Sequence, residues 1–121
     1  VVYSGFDAHN PATLSKKMVG DIIRGWLGFD GLLMSDDLSM QALSGDFSGR
    51  TQSAFAAGCD VVLHCNGSMA EMEAIAAATP VLEGMPAWRA RVALERRSVP
   101  DDADEKALLA EFEALTATAF A

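Results

Sequence analysis

Gly28-Phe29-Asp30-Gly31-Leu32-Leu33-Met34-Ser35-Asp36-Asp37-Leu38-Ser39-Met40 decides the fold. A turn with two glycines feeds a short apolar run over residues 31 to 35, which ends in two carboxylates and a second turn. Leu, Leu and Met in succession, without alternation, read as a strand covered on both faces, the habit of parallel sheets. Parallel α/β folds carry their chemistry at the carboxyl ends of strands, and Asp36 is placed at such an end. Neighbouring strand residues point to opposite sides, so only one of the two acids faces a given pocket. The other, Asp37, is free to cap the turn at Leu38 to Met40.

Upstream, Val1 to Tyr3 read as the end of a strand, and residues 4 to 13, with Gly5, Asp7, Asn10 and Pro11, as a loop. His9 lies in that loop as a solvated side chain. Thr13 or Ser15 caps a helix in which Leu14, Met18, Ile22 and Trp26 recur at helical spacing beside Val19, Ile23 and Leu27. Gly28 suits the left-handed position that ends it.

Downstream, residues 38 to 49 contain two glycines and three serines and read as a mobile loop. A helix over 50 to 57 is stopped by Gly58, and Cys59 to Cys65 form a second buried strand closed by Asn66 and Gly67. Ser68 caps a further helix whose Met69, Met72, Ile75 and Ala76 make a core stripe. Pro80 ends it, and Pro86 suits the first turn of the next. Residues 98 to 104 form an acidic linker into a last helix, made amphipathic by Leu108, Phe112, Leu115 and Ala119 and so expected to dock. Strand and helix alternate, which implies right-handed crossovers and a parallel sheet. The fold class is α/β.

The chain has 121 residues, the size of one domain. It opens on an apolar run without an initiator Met and reads as the carboxyl-terminal piece of something larger. Seventeen acids against nine Lys and Arg give a net charge of −8. Nucleic acid and anionic membrane surfaces are poor partners for such a chain. No apolar run has the length to span a bilayer. Cys59 and Cys65 would lie about 20 Å apart on one strand, beyond disulfide reach, and read as reduced core thiols of a cytoplasmic protein.

A carboxylate at a strand end can be a covalent nucleophile in glycosyl transfer, a phosphoacceptor or a metal ligand. A phosphoacceptor of receiver type needs a lysine on a later strand, and Lys106, the one downstream lysine, is in the terminal helix. A metal site could recruit His64 and Cys65, but no ligand spacing supports it, and His64 reads as a strand-end residue satisfied by backbone. The pair could equally be a helix cap with a solvated neighbour.

"GFDGLLMSDDLSM", together with "PATLS" at 11 to 15 and "AGCDVVLHCN" at 57 to 66, resembles the carboxyl-terminal third of the bacterial β-N-acetylglucosaminidases of glycoside hydrolase family 3. The resemblance is strong from 11 to 66 and weak after about 85. It implies a (β/α)8 barrel of which this chain holds the end of strand six, strands seven and eight with their helices over 1–85, and terminal helices over 86–121 packing on the barrel. It implies that Asp36, the first Asp of "SDDLSM", attacks the anomeric carbon to form a covalent glycosyl-enzyme that water releases with retention. Met40 would lie near the barrel mouth, touching the sugar or packing in the core. The implied substrate is a muropeptide bearing terminal N-acetylglucosamine, as in peptidoglycan recycling, with no metal or organic cofactor. The family's acid/base histidine and its paired aspartate belong to an earlier loop of the barrel and have no counterpart here, and neither His9 nor His64 sits in that motif. Another family 3 glycosidase, such as a β-glucosidase, and a receiver-like module with Asp36 as phosphoacceptor are the alternatives.

Overall fold

The computed structural model describes residues 1–117. Its centre is a βαβ unit of strand β1 (Met34–Asp37), helix α1 (Phe47–Ala57) and strand β2 (Val61–Leu63), the strands lying parallel and side by side. Around it are a 3-10 turn (Ala12–Leu14), a π-helix (Lys17–Trp26) and helices α2 (Met69–Ala78), α3 (Gly84–Glu95) and α4 (Glu105–Thr116). The α/β character and the parallel pairing are those expected from the sequence.

Several boundaries differ, each for a local reason. β1 begins three residues later than the apolar run, so both carboxylates lie within it, and Leu32 and Leu33 precede it. The strand therefore alternates, with Met34 and Asp36 exposed and Ser35 buried, as in a sheet covered on one face. No strand forms at Val1 to Tyr3. The Tyr3 carbonyl accepts the amides of Phe6 and Asp7, both at 2.9 Å, and this turn uses groups a ladder would need. β2 is likewise shorter than the run from Cys59 to Cys65.

Ser15 is the working cap of the first helix: its hydroxyl accepts the Met18 amide at 3.1 Å and donates to Asp7 at 2.7 Å. The helix then winds as a π-helix, its end marked by the Leu27 amide donating to the Ile22 carbonyl five residues back. That wider winding takes side chains off the expected stripe. Val19 is buried, whereas Trp26 is 76% exposed. Gly28 closes the segment at φ +63°.

Helix α1 starts three residues before the expected position because Asp46 caps it, accepting the Gly49 amide at 2.8 Å. It ends at Gly58, whose φ is +113° and where a Cβ would stand 3.0 Å from Val19 Cγ1. A side chain there would be strained by the backbone and crowded by the π-helix. The core is small. Leu38, Leu43, Ala54 and Ile75 are buried together, with Leu14, Met40, Phe47 and Val62 packed against them, and a second cluster joins Val19, Ala57 and Cys59 to Leu33. Leu38 and Leu43 thus anchor the segment expected to be mobile.

The helices after β2 depart furthest from expectation. Ser68 takes the cap position of α2 without a side-chain cap bond, and of the expected core stripe only Ile75 is buried, with Met69, Met72 and Ala76 exposed. In α4, capped by Asp104 through the amides of Lys106 and Ala107, Leu108, Phe112 and Leu115 are exposed and find no surface among the described residues. Ala119, the fourth residue of that stripe, lies outside the described residues. Cys59 is buried and Cys65 exposed, both as free thiols, so only the first is a core thiol. Burial, with Asp60 beside it, pushes the Cys59 thiol up from its ordinary value.

At the amino-terminal end of the sheet a single carboxylate gathers the chain. Asp60, with its side chain 3% exposed, accepts from Arg24 at 2.6 Å, from the Leu33 amide at 2.9 Å and from Arg89 of α3 at 3.0 Å. Arg24 also donates to the Phe29 and Gly31 carbonyls, and Arg89 to Asp30. Two hydrogen-bonded arginines answer the buried charge, which alone would be costly.

Candidate active site

The opposite end of the sheet carries the acids. Met34 pairs with Val61 and Asp37 with Leu63, so β1 spends one more residue than β2 over the same span, a bulge. Ser35 makes it possible: its hydroxyl accepts the Leu63 amide at 3.0 Å in place of a ladder carbonyl and donates to the Asp36 carbonyl at 2.7 Å. A bulge bends its strand and re-aims a side chain. Here the irregularity falls between Met34 and Asp37, the stretch that holds Asp36.

Asp36 is exposed, and its Oδ1 accepts the Asp37 amide at 2.8 Å. Its Oδ2 has no hydrogen-bond partner among the described residues. Asp37 does the structural work expected of it. Its Oδ1 accepts the Ser39 amide at 2.9 Å and the Cys65 amide at 3.1 Å, and its Oδ2 accepts the Ser39 hydroxyl. It therefore caps the turn after β1 and also bolts that turn to the end of β2. The Ser39 hydroxyl, then the Ser39 amide, hold the Asp37 carboxyl below the usual carboxylate range.

Arg50, in the first turn of α1, fixes the segment that follows. It donates to the carbonyls of Leu38 at 2.8 Å, Met40 at 3.4 Å and Gly45 at 3.1 Å, and stacks 5.1 Å from the Phe47 ring. Nothing in the sequence singled out Arg50 or Ser35. The Asp37 to Ser39 spacing, by contrast, is a readable side-chain turn. Met40 is half-buried and packs against the Leu38 cluster. His9 is exposed in its loop, where its amide donates to Asp7 at 3.0 Å. Asp7 organises that loop, and the side chains of Asn10 and Ser15 hold its carboxyl far below the ordinary range.

His64 is not satisfied by backbone, contrary to the sequence reading. Its ring is buried between the carboxylates of Asp37 and Glu71. Among the described residues no three His, Cys, Asp or Glu side chains gather as a metal site would require. A cleft of about 800 Å³ runs beside β2, lined by Val61, Val62, Ile75, Leu82 and Pro86, and Asp36 is not among its walls. No helix of the described residues is long and apolar enough to cross a membrane.

A carboxylate with one oxygen anchored by backbone and the other open is arranged for in-line attack or for accepting a proton. The anchoring amide sets its direction and leaves a lone pair available. Neither Arg24 nor Arg89 reaches it, since both bond at the opposite end of the strands.

The chain is 41% identical over 110 residues to a beta-hexosaminidase of Aromatoleum aromaticum, covering 89% of this chain and 30% of that protein. It is 48% identical over 68 residues to one of Bordetella avium, covering 54% of this chain and 19% of that protein. The chain thus spans less than a third of the length of these curated relatives. A crystal structure of a beta-N-acetylhexosaminidase from Beutenbergia cavernae superposes with a TM-score of 0.58 at 35% identity, over 78% of this chain and 30% of that one. Residues 1–96 match the profile of the glycosyl hydrolase family 3 N terminal domain, and the chain belongs to that family.

Proposed function

We propose that this chain is the carboxyl-terminal part of the (β/α)8 barrel of a retaining exo-β-N-acetylglucosaminidase, and that Asp36 is its nucleophile. Residues 1–85 contribute the last strands and helices of the barrel, and 86–121 the terminal helices. The observation that carries the reading is the open Asp36 carboxylate, anchored through Oδ1 at the carboxyl end of a parallel strand. The exposed apolar cleft beside β2 fits a sheet that continues into further strands. The names of the relatives support the sugar class.

In the proposed reaction Asp36 attacks the anomeric carbon of a terminal N-acetylglucosamine as the bond to the leaving oxygen breaks. An acid from an earlier part of the barrel gives that oxygen a proton. The resulting ester to Asp36 is cleaved by water, whose proton returns to the same acid, and the configuration is retained. The bulge at Ser35 aims the carboxylate, and the exposed flank of Met40 is offered to the sugar. A muropeptide is the proposed substrate and the cytoplasm the proposed compartment, which the free thiols of Cys59 and Cys65 support.

Asp36→Ala in the intact enzyme is expected to lower turnover about a thousandfold or more while the fold is kept. Mass spectrometry with a slow fluorinated glycoside should find the sugar esterified on the Asp36 peptide. Normal turnover by the variant, or a label on another residue, would overturn the assignment.

A further inference from the structure

His64 closes β2 with its side chain only 8% exposed. Its Nε2 stands 3.2 Å from Glu71 Oε2 on α2, and its Nδ1 stands 3.9 Å from Oδ1 of Asp37, the last residue of β1. Phe47 of α1 meets the ring edge-on, with centroids 5.4 Å apart and planes at 76°. Neither ring nitrogen has an aligned hydrogen bond, and neither does Glu71 Oε2. Among the described residues the charged groups facing the ring are Asp37 and Glu71. The guanidinium of Arg50 lies over Phe47 and is engaged by the Leu38, Met40 and Gly45 carbonyls.

A neutral imidazole has one donor and one acceptor. Between two carboxylates it would turn a lone pair toward one of them. The imidazolium has a donor for each: the Glu71 contact at 3.2 Å is already within hydrogen-bond reach, and the Asp37 contact at 3.9 Å would have to shorten by about 1 Å. Buried polar groups without partners are costly, whereas charge-assisted bonds are the strong ones.

We propose that His64 is a positioning residue, an imidazolium bridge from Glu71 to Asp37 that holds the end of the strand from which Asp36 projects. The Asp37 amide anchors Asp36 Oδ1, so displacing Asp37 displaces the carboxylate. The bridge ties three elements, β1, β2 and α2, behind one reactive oxygen. The role rests on the assignment of Asp36 as nucleophile.

Two measurements on the intact enzyme test it. Nitrogen NMR of the histidine-labelled protein at neutral pH is expected to show both His64 ring nitrogens carrying hydrogen, and Glu71→Gln is expected to convert the ring to a neutral tautomer. In kinetics, Glu71→Gln and His64→Gln should each lower kcat about tenfold or more, with KM within about twofold, because a misaligned group binds substrate and reacts slowly. A bare ring nitrogen in the wild-type enzyme, or unchanged kcat in Glu71→Gln, overturns the proposal. If His64→Gln does not fold, Glu71→Gln carries the test. Failure of the nucleophile assignment is separable, since turnover retained by Asp36→Ala would leave the nitrogen signature of His64 in place.

Discussion

The two ends of the sheet each carry an aspartate, and they treat it in opposite ways. At the amino-terminal end Asp60 is buried and takes donors from Arg24, Arg89 and the Leu33 amide. At the carboxyl-terminal end Asp36 is exposed and takes one, from its neighbour's amide. A carboxylate out of water must have its charge answered on all sides, and when it is answered it has nothing left to offer a substrate. One left at the surface with a single anchor keeps an oxygen free. The first arrangement joins the π-helix, the strands and α3, while the second leaves a carboxylate oxygen open at little structural cost.

Removing the two carboxylates is the most direct way to break this contrast. Asp60→Ala leaves two arginines and an amide without their partner and is expected to cost about 3–5 kcal/mol in urea unfolding. Asp36→Ala is expected to change stability by no more than about 0.5 kcal/mol. Equal losses would mean that the carboxyl-terminal end is as structural as the other.

Asp37 sharpens the comparison, because it sits at the open end but is fully hydrogen-bonded. Its folded value is depressed by the Ser39 bonds, so the stabilisation they give is complete above the ordinary carboxylate range. It is lost only as pH falls through the lowered value. The Cys65 amide resonance, followed by NMR, should hold its position through mild acid and move only below it. The smallest effect belongs to a third kind of pair. Arg91 and Glu95 meet at 2.5 Å one helical turn apart, both more than half exposed. Glu95→Ala is expected to cost about 0.3–0.5 kcal/mol, and this should vanish in high salt.

Patterns carried by adjacent residues were legible in the sequence, and those carried by distant partners were not. "SDDLS" showed an acid at a strand end and a cap beside it, because the Asp37 to Ser39 turn is built within three residues. Gly28 and Gly58 showed where helices stop, since a left-handed turn is a local demand. The bulge was hidden because it depends on Ser35 meeting Leu63, and the structural role of Asp60 because it depends on Arg24 and Arg89. The apolar stripes of the first helix and of α2 misled for another reason. Periodicity says which residues share a face, not whether this stretch of chain provides a surface to cover it. Winding also matters, and the π-helix moved Trp26 off a face drawn at ordinary helical spacing.

The link from Asp37 to the Cys65 amide, with that from Ser35 to the Leu63 amide, has a consequence for anyone re-engineering this protein. The strand end bearing the acids cannot be transplanted alone, because two of its side chains accept amides in and just beyond the neighbouring strand. A chimera that exchanges "SDDLS" without "VVLHC" would inherit the letters of the site but not its geometry. The smallest portable cassette is the pair of strand ends taken together.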